Sequence, residues 1–441
     1  MKITYGNLSV STRNFYIIAI FLLFLTDNLF YYLLVGDQGP EAGPPAIDPE
    51  KYLAIIALIV PILRFNTYSP FMRAWLAVIY LYFLALVIES YLNFGSFLIY
   101  PHVFAKIMTL CLIFMFFSFF TEPEDKQAKN IMYLIVAAFF LHILLFKRDA
   151  ISFAAFVSTE RAISAEATYL VSLPCLFFFI RYLTKEHLLD LAFFFVLFGF
   201  ILFLQHRTVW VTTTITLVLS FIFLKLKSKA RPSVTSISLL VLVPVVIGIA
   251  ASTFIFVEKP EILDQFAKRF SDIENVEAEG STSSWRLLQF ESYLPYIKDN
   301  IVFGMRLQGF ELPIQFFNPE AGTAYFEAGT GHHFHSFYVD RLFYFGVCGL
   351  IIAVVPAIYV IALFLKKPYL STPEIALLVF MISGFVFGLS YNWPFYYYGL
   401  IGLAMGFAER APEEEFEEFE VTEETDASDE TTPQVFSQVP W

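Results

Sequence analysis

Apolar residues along this chain gather into long runs, at 15–35, 52–66, 71–92, 97–120, 131–146, 166–180, 188–204, 208–224, 235–256, 337–365, 374–389 and 394–408. A helix rises about 1.5 Å per residue, so roughly 20 such residues cross the ~30 Å of bilayer hydrocarbon. The pattern predicts an all-α integral membrane protein of about twelve transmembrane helices, with the runs at 52–66 and 394–408 its weakest spans. Residues 1–256 would hold the first nine helices and their short loops, and residues 336–408 the last three. Between the ninth and tenth lies one long interval without a spanning run, 257–335, predicted to be a large, partly helical extracytoplasmic loop. Lys2 and Arg13 precede the first run and no small-residue cleavage signal follows it, so a retained helix is expected there.

Charge orients the spans. Lys and Arg stay on the cytoplasmic side of short loops. Here they recur in alternate connections: Arg64 and Arg73, Lys126 and Lys129, Arg181 and Lys185, the cluster Lys225, Lys227, Lys229 and Arg231, and Lys366 with Lys367. With the N-terminus inside, all of these share one side. The acidic 36–50 segment, Gln205-His206-Arg207 and the long loop share the other. Both termini are predicted to be cytoplasmic. The formal charge of -12 is itself local, because 12 acidic residues against one basic lie from Glu409 onward. That tail, residues 409–441, has no helical periodicity and is expected to be disordered. Phe416 and Phe419 leave open its use as a docking segment for a cytoplasmic partner.

Composition narrows the class. With 58% hydrophobic and 15% charged residues, the chain departs from soluble domains, which are nearer a quarter charged. Runs such as Phe114, Phe116, Phe117, Phe119 and Phe120 are most simply lipid-facing area. Cys111, Cys175 and Cys348 all sit in apolar runs, so neither a disulfide framework nor a CxxC metal site is predicted. Walker A and strand-borne GxGxxG motifs are absent, and no repeat of 20 to 50 residues is present. No cofactor and no nucleic-acid partner is expected. Gly384 with Gly388, and Gly402 with Gly406, have the GxxxG spacing that permits close helix packing.

Charges in or beside a span are functional candidates because each needs a partner or a cavity. Arg207 lies at an outer helix boundary next to Trp210, where the plain alternative is a snorkelling anchor. Ser283-Ser284-Trp285-Arg286 opens a predicted loop helix, and a cation in the first turns of a helix opposes the macrodipole. Gly331-His332-His333-Phe334-His335-Ser336 meets the membrane again at the end of the loop, where imidazoles titrate near neutrality. A zinc site built on His332, His333 and His335 would need a distant fourth ligand; the other reading is a general base. Two arginines and a histidine at one membrane face suit a lipid-linked phosphate, since guanidinium matches phosphate oxygens as a planar fork. Lys106, Glu89 and Arg161 are left between phosphate contact and structural pairing. Asp340 and Arg341, about 100° apart on a helix, need separate partners. The loop pair Lys268 and Arg269 is expected at the surface or on headgroups.

Several of these residues recur in one order: Arg269-Phe270-Ser271, Ser284-Trp285-Arg286, Asn300-Ile301-Val302-Phe303-Gly304 with Gly309-Phe310, His335-Ser336-Phe337-Tyr338, and Phe345-Gly346-Val347-Cys348-Gly349-Leu350. In that order the chain resembles the O-antigen ligase and O-antigen polymerase superfamily of bacterial membrane glycosyltransferases, over about residues 200–350. Arg207, Arg286, Gly304 and His335 fill the places of the boundary arginine, the loop-helix arginine, the glycine turn and the histidine that opens the next span. His206 and Thr208 flank the boundary arginine where small residues are common. Ser336 follows the histidine where Asn is common, and Arg306 stands where a second turn Gly is common.

The resemblance implies a multi-pass protein of the bacterial inner membrane. It would transfer a glycan from an undecaprenyl-diphosphate carrier to a sugar hydroxyl on a glycan or lipid A-core acceptor, without metal. His335 would be the catalytic base, and Arg207 and Arg286 the diphosphate-binding residues. A transporter or lipid-linked glycan flippase is the competing class. It should show two related halves or interrupted helices around a midplane site, and neither is read from the sequence.

Overall fold

A computed structural model describes residues 2–5, 8–11, 49–120, 125–152, 163–258, 282–309, 317–318, 323–324 and 334–409. Its helices are α1 (Pro49–Leu63), α2 (Pro70–Phe94), α3 (Pro101–Met108), α4 (Cys111–Phe119), α5 (Asp125–Phe146), α6 (Ala165–Lys185), α7 (Leu188–Phe203), α8 (Arg207–Lys227), α9 (Val234–Glu258), α10 (Thr282–Asp299), α11 (Phe337–Lys366), α12 (Thr372–Phe387) and α13 (Phe395–Glu409). Two short antiparallel hairpins, β1 (Lys2–Tyr5) with β2 (Leu8–Ser11) and β3 (Phe317–Asn318) with β4 (Thr323–Ala324), are departures from the all-α expectation. Both lie outside the apolar runs. The expected span at 15–35, Arg161, Lys268, Arg269, His332, His333 and the tail beyond Glu409 fall outside the described residues.

Six of the described helical stretches are long and apolar enough to cross a membrane: α2, α3 with α4, α5, α6, α8 and α11; α7, α12 and the Val234–Val246 part of α9 are apolar but shorter. Two expected spans are not continuous. The run at 97–120 divides into α3 and α4 around Thr109 and Leu110, and α11 is broken at Gly346 (φ 61°, ψ −161°). Hydropathy detects apolar length and is blind to such breaks, so the sequence reading that no helix is interrupted is corrected here.

Burial separates the helices into two kinds. In α6 every residue from Thr168 to Ile180 is buried, and α12 and α13 are buried along most of their length. These are apolar on all sides because neighbours surround them. On α2, by contrast, Leu81 is 67% and Leu92 74% exposed, and α9 presents Val241, Val246 and Ile249 outward. Such broad exposed apolar faces match lipid as solvent. The glycine pairs serve packing. A Cβ on Gly402 or Gly406 of α13 would strike the carbonyl oxygen of Ile113 or Phe120, at and beyond α4, and one on Gly384 of α12 would strike the Tyr397 ring.

The connections gather at two ends of the bundle. At one, Ser69 Oγ donates to Glu409 Oε1 at 2.8 Å, joining the start of α2 to the end of α13. There too Leu370 N donates to Lys227 O, and Lys227 Nζ donates to the carbonyls of Leu365 and Lys367. Arg181 of α6 pairs with Asp190 of α7 at 3.2 Å. Glu186, at the α6–α7 turn, accepts from Ser236 Oγ at the start of α9, and hydrogen bonding from Ser233 and Ser236 holds its carboxyl below the ordinary range. This end carries Arg64, Arg73, Lys185, Lys225, Lys229, Arg231 and Lys366. The other end holds the α7–α8 turn, the starts of α6 and α11, and the α12–α13 turn.

Candidate functional site

The α7–α8 turn fixes Arg207 through its neighbours. Gln205 takes a left-handed φ of 58°, which ends α7, and His206 becomes the extended N-cap of α8. The buried His206 ring places Nε2 2.8 Å from Ile163 O. Trp210 Nε1 donates back to Ile201 O at 3.0 Å. Arg207 is therefore the first residue of α8, half-buried, on a turn tied to the chain just before α6.

His335 sits on a second braced turn. Phe334 before it is fully buried, its ring 4.7 Å from Tyr293 of α10 and 5.0 Å from Phe343 of α11. Asn392 Nδ2 donates to Phe334 O at 2.6 Å. After it, Ser336 Oγ and Phe337 N both donate to Gly388 O, and the Phe337 ring stacks on Trp393 at 4.0 Å. His335 itself is half-buried, with its ring edge-on to Tyr391 at 6.5 Å.

The two turns belong to one end and are linked through α6. Tyr391 stacks on Phe387, and Phe387 stacks on Tyr169 of α6. Tyr396 OH donates to Glu166 O at 2.6 Å, three residues beyond the Ile163 carbonyl that meets His206. Arg286 lies in the second turn of α10; its side chain is outside the described residues. Of the three predicted site residues, Arg207 and His335 thus share one end of the bundle, and α10 reaches that end through Tyr293.

A charged network that the sequence reading left unassigned lies one turn further into α11. Lys106 Nζ pairs with Asp340 Oδ1 at 2.5 Å, and Lys106 also stands 4.9 Å from the centre of the Tyr344 ring. Arg341 donates Nη1 to Lys106 O at 2.9 Å and Nη2 to Tyr398 OH at 3.0 Å. Its guanidinium lies over the Phe337 and Phe345 rings, while its Nε is 4.0 Å from Asp340 Oδ2 and has no hydrogen-bond partner among the described residues. Among the described residues two cations meet one carboxylate here, beneath the His335 turn. The signal was present in the sequence, since opposite charges inside apolar runs must find partners. Which carboxylate Lys106 would meet was not.

Glu89 has its partner as well, Arg306, with Nε 2.8 Å from Oε2. Among the described residues no group of three or more His, Cys, Asp or Glu could hold a metal ion; of the proposed zinc cluster, His332 and His333 lie outside them.

These features define a multi-pass membrane protein with a histidine and cationic groups assembled at one end of its helix bundle. Residues 192–354, from α7 into α11, match the family model described as O-antigen ligase. The matched stretch contains Arg207, Arg286, Gly304 and His335. The match supports glycan transfer of the O-antigen ligase or polymerase type, with a lipid-linked glycan donor and a glycan acceptor. No curated protein matches the chain.

Proposed function

We propose that the protein transfers a glycan from an undecaprenyl-diphosphate carrier to an acceptor sugar hydroxyl at the outer face of the bacterial inner membrane, as an O-antigen ligase or a polymerase of O-antigen or exopolysaccharide. The observation that carries this reading is the joining of the His335 and Arg207 turns at one end of the bundle, above a network in which Lys106 and Arg341 share Asp340 among the described residues. The acceptor oxygen attacks the anomeric carbon of the donor as its proton passes to a neutral His335 nitrogen. The bond from that carbon to the phosphate oxygen breaks, and the carrier diphosphate leaves with the electron pair. An acceptor hydroxyl has a high intrinsic pKa and needs the base. The diphosphate needs its developing charge neutralised, which fixed cations do best away from water; Arg207, Arg286, Lys106 and Arg341 are the groups for that task. Confining both substrates to the membrane surface supplies much of the orientation.

In this reading the basic end of the bundle faces the cytoplasm, with both termini and the 409–441 tail. About twelve spans cross the membrane, and the 257–335 loop lies outside, between the ninth and tenth. Glu409, the first residue of that tail, still closes α13. The break at Gly346 brings back one trait of transporters. It is filled by protein backbone, not open to a substrate, and so does not favour transport.

The deciding experiment reconstitutes the purified protein with an undecaprenyl-diphosphate glycan and candidate acceptors. Transfer by the wild type and its loss in His335→Ala, Arg207→Ala and Arg286→Ala are the expected results. Normal transfer by all three folded variants would overturn the site.

A further inference from the structure

An uninterrupted α11 would bond Val347 N–H to Phe343 O and Cys348 N–H to Tyr344 O. Gly346, in a conformation no helix contains, breaks that ladder. All four groups find partners on one foreign segment. Met305 and Arg306 donate their N–H groups to the Phe343 and Tyr344 carbonyls at 2.7 and 2.8 Å, and Val347 and Cys348 donate to the Ile301 and Val302 carbonyls at 2.8 and 3.0 Å. Backbone groups without partners are costly at membrane depth, so the break and the insertion require each other. Two glycines make the approach possible. A Cβ on Gly304 (φ 67°) would fall on the backbone of Tyr344, Phe345 and Gly346, and one on Gly346 would fall on the Val302 carbonyl.

Arg306 has φ 51°, a left-handed conformation rare outside glycine. This accounts for glycine being common at that position in the resemblance. Here a large side chain is held instead, and its guanidinium Nε contacts both carboxylate oxygens of Glu89 on α2, at 2.8 and 3.1 Å. The turn also presents Ile301, Val302 and Phe303 in succession, 44%, 52% and 53% exposed. The roughly twenty residues of α11 after the break reach about 30 Å, the hydrocarbon thickness, so the turn sits at one hydrocarbon boundary with those three side chains toward lipid.

We propose that residues 300–306 form a membrane-seated staple, latched by Glu89 and Arg306, that holds α10 against α11. Asn300 directly follows α10, and its carbonyl accepts from Gly304 N–H at 2.8 Å. Seven residues back, buried Tyr293 packs on Phe334, next to His335. Glu89 and Arg306 are in this view positioning residues. They touch no substrate, and they set where the Arg286-bearing helix stands relative to His335. The inference rests on the proposed transfer reaction.

The test follows Glu89→Gln and the double variant Glu89→Gln with Arg306→Gln in nanodiscs, by hydrogen exchange and by transfer kinetics. The single variant leaves the guanidinium without its counter-charge, whereas the double variant leaves two neutral amides able to bond each other. In the single variant, α10 amides should exchange about tenfold faster while α6 and α12 stay protected, and kcat/KM should fall about tenfold or more. The double variant should recover much of both. Unchanged exchange in α10 overturns the staple, whatever the kinetics. Loosening of α10 with unaltered transfer overturns its positioning role. If the wild type transferred no glycan, the proposed function would fail by itself, and the exchange data would still decide whether the latch holds α10.

Discussion

Two lysine–carboxylate pairs, each with a buried carboxylate and one at each end of the bundle, have opposite designs. At the basic end Lys367 Nζ lies 2.7 Å from Glu374 Oε1 and also donates to Phe407 O, while Glu374 Oε2 accepts from Ser371 N in a capping box. Within this pair one ammonium meets one carboxylate, and the ends of α11, α12 and α13 are tied together. At the other end Lys106 and Asp340 sit as close, but Arg341 beside them adds a second cation, and its Nε lacks a hydrogen-bond partner among the described residues. A closed pair is a structural fastening. A carboxylate shared by two cations under a histidine turn leaves room for an incoming anion, which the second cation would stabilise.

The comparison can be tested from both ends. The largest effect belongs to His335→Ala, expected to lower the rate of glycan transfer by about 10²–10⁴-fold, the usual worth of a general base, with thermal unfolding in detergent unchanged. At the closed pair the expectation reverses. Glu374→Gln strands a buried ammonium and should cost about 3–5 kcal/mol of stability, seen as earlier thermal unfolding, while transfer per folded molecule stays at the wild-type value. If Glu374→Gln reduced turnover as His335→Ala does, the contrast between the ends would collapse. Lys106→Ala is expected to be milder, raising the KM for the lipid diphosphate donor about tenfold, or about 1.4 kcal/mol, with kcat close to wild type. The smallest effect should come from chelation. Transfer assayed with and without EDTA is expected to be equal, and activity lost to EDTA and restored by zinc would revive the histidine cluster as a metal site.

What was legible beforehand follows the range of each interaction. The positions of α2, α5, α6, α8 and α11 were readable from apolar runs, and α10 from Ser and Thr ahead of Trp285 and Arg286. The glycine pairs were readable as close packing, and Gly402 and Gly406 do lie against carbonyls near α4. The breaks at Thr109 and Gly346 were not readable. Gly346 looks like any glycine in an apolar run until the 301–306 segment is seen inserted beside it. Lys106, Glu89 and Arg306 were visible as charges out of place, though without partners.

The sequence alone determined that lipid is the solvent and roughly where the long helices begin and end, and it singled out a histidine and two arginines as candidates. Those are sums over neighbouring residues, and hydrophobic transfer and helix length depend on little else. Tertiary structure alone decided that Lys106 meets Asp340 across 234 positions of chain, that Arg306 meets Glu89 across 217, and that the loop laces itself into a broken helix. Pairing at such separations depends on which helices pack together and at what depth. Only the packed bundle sets that.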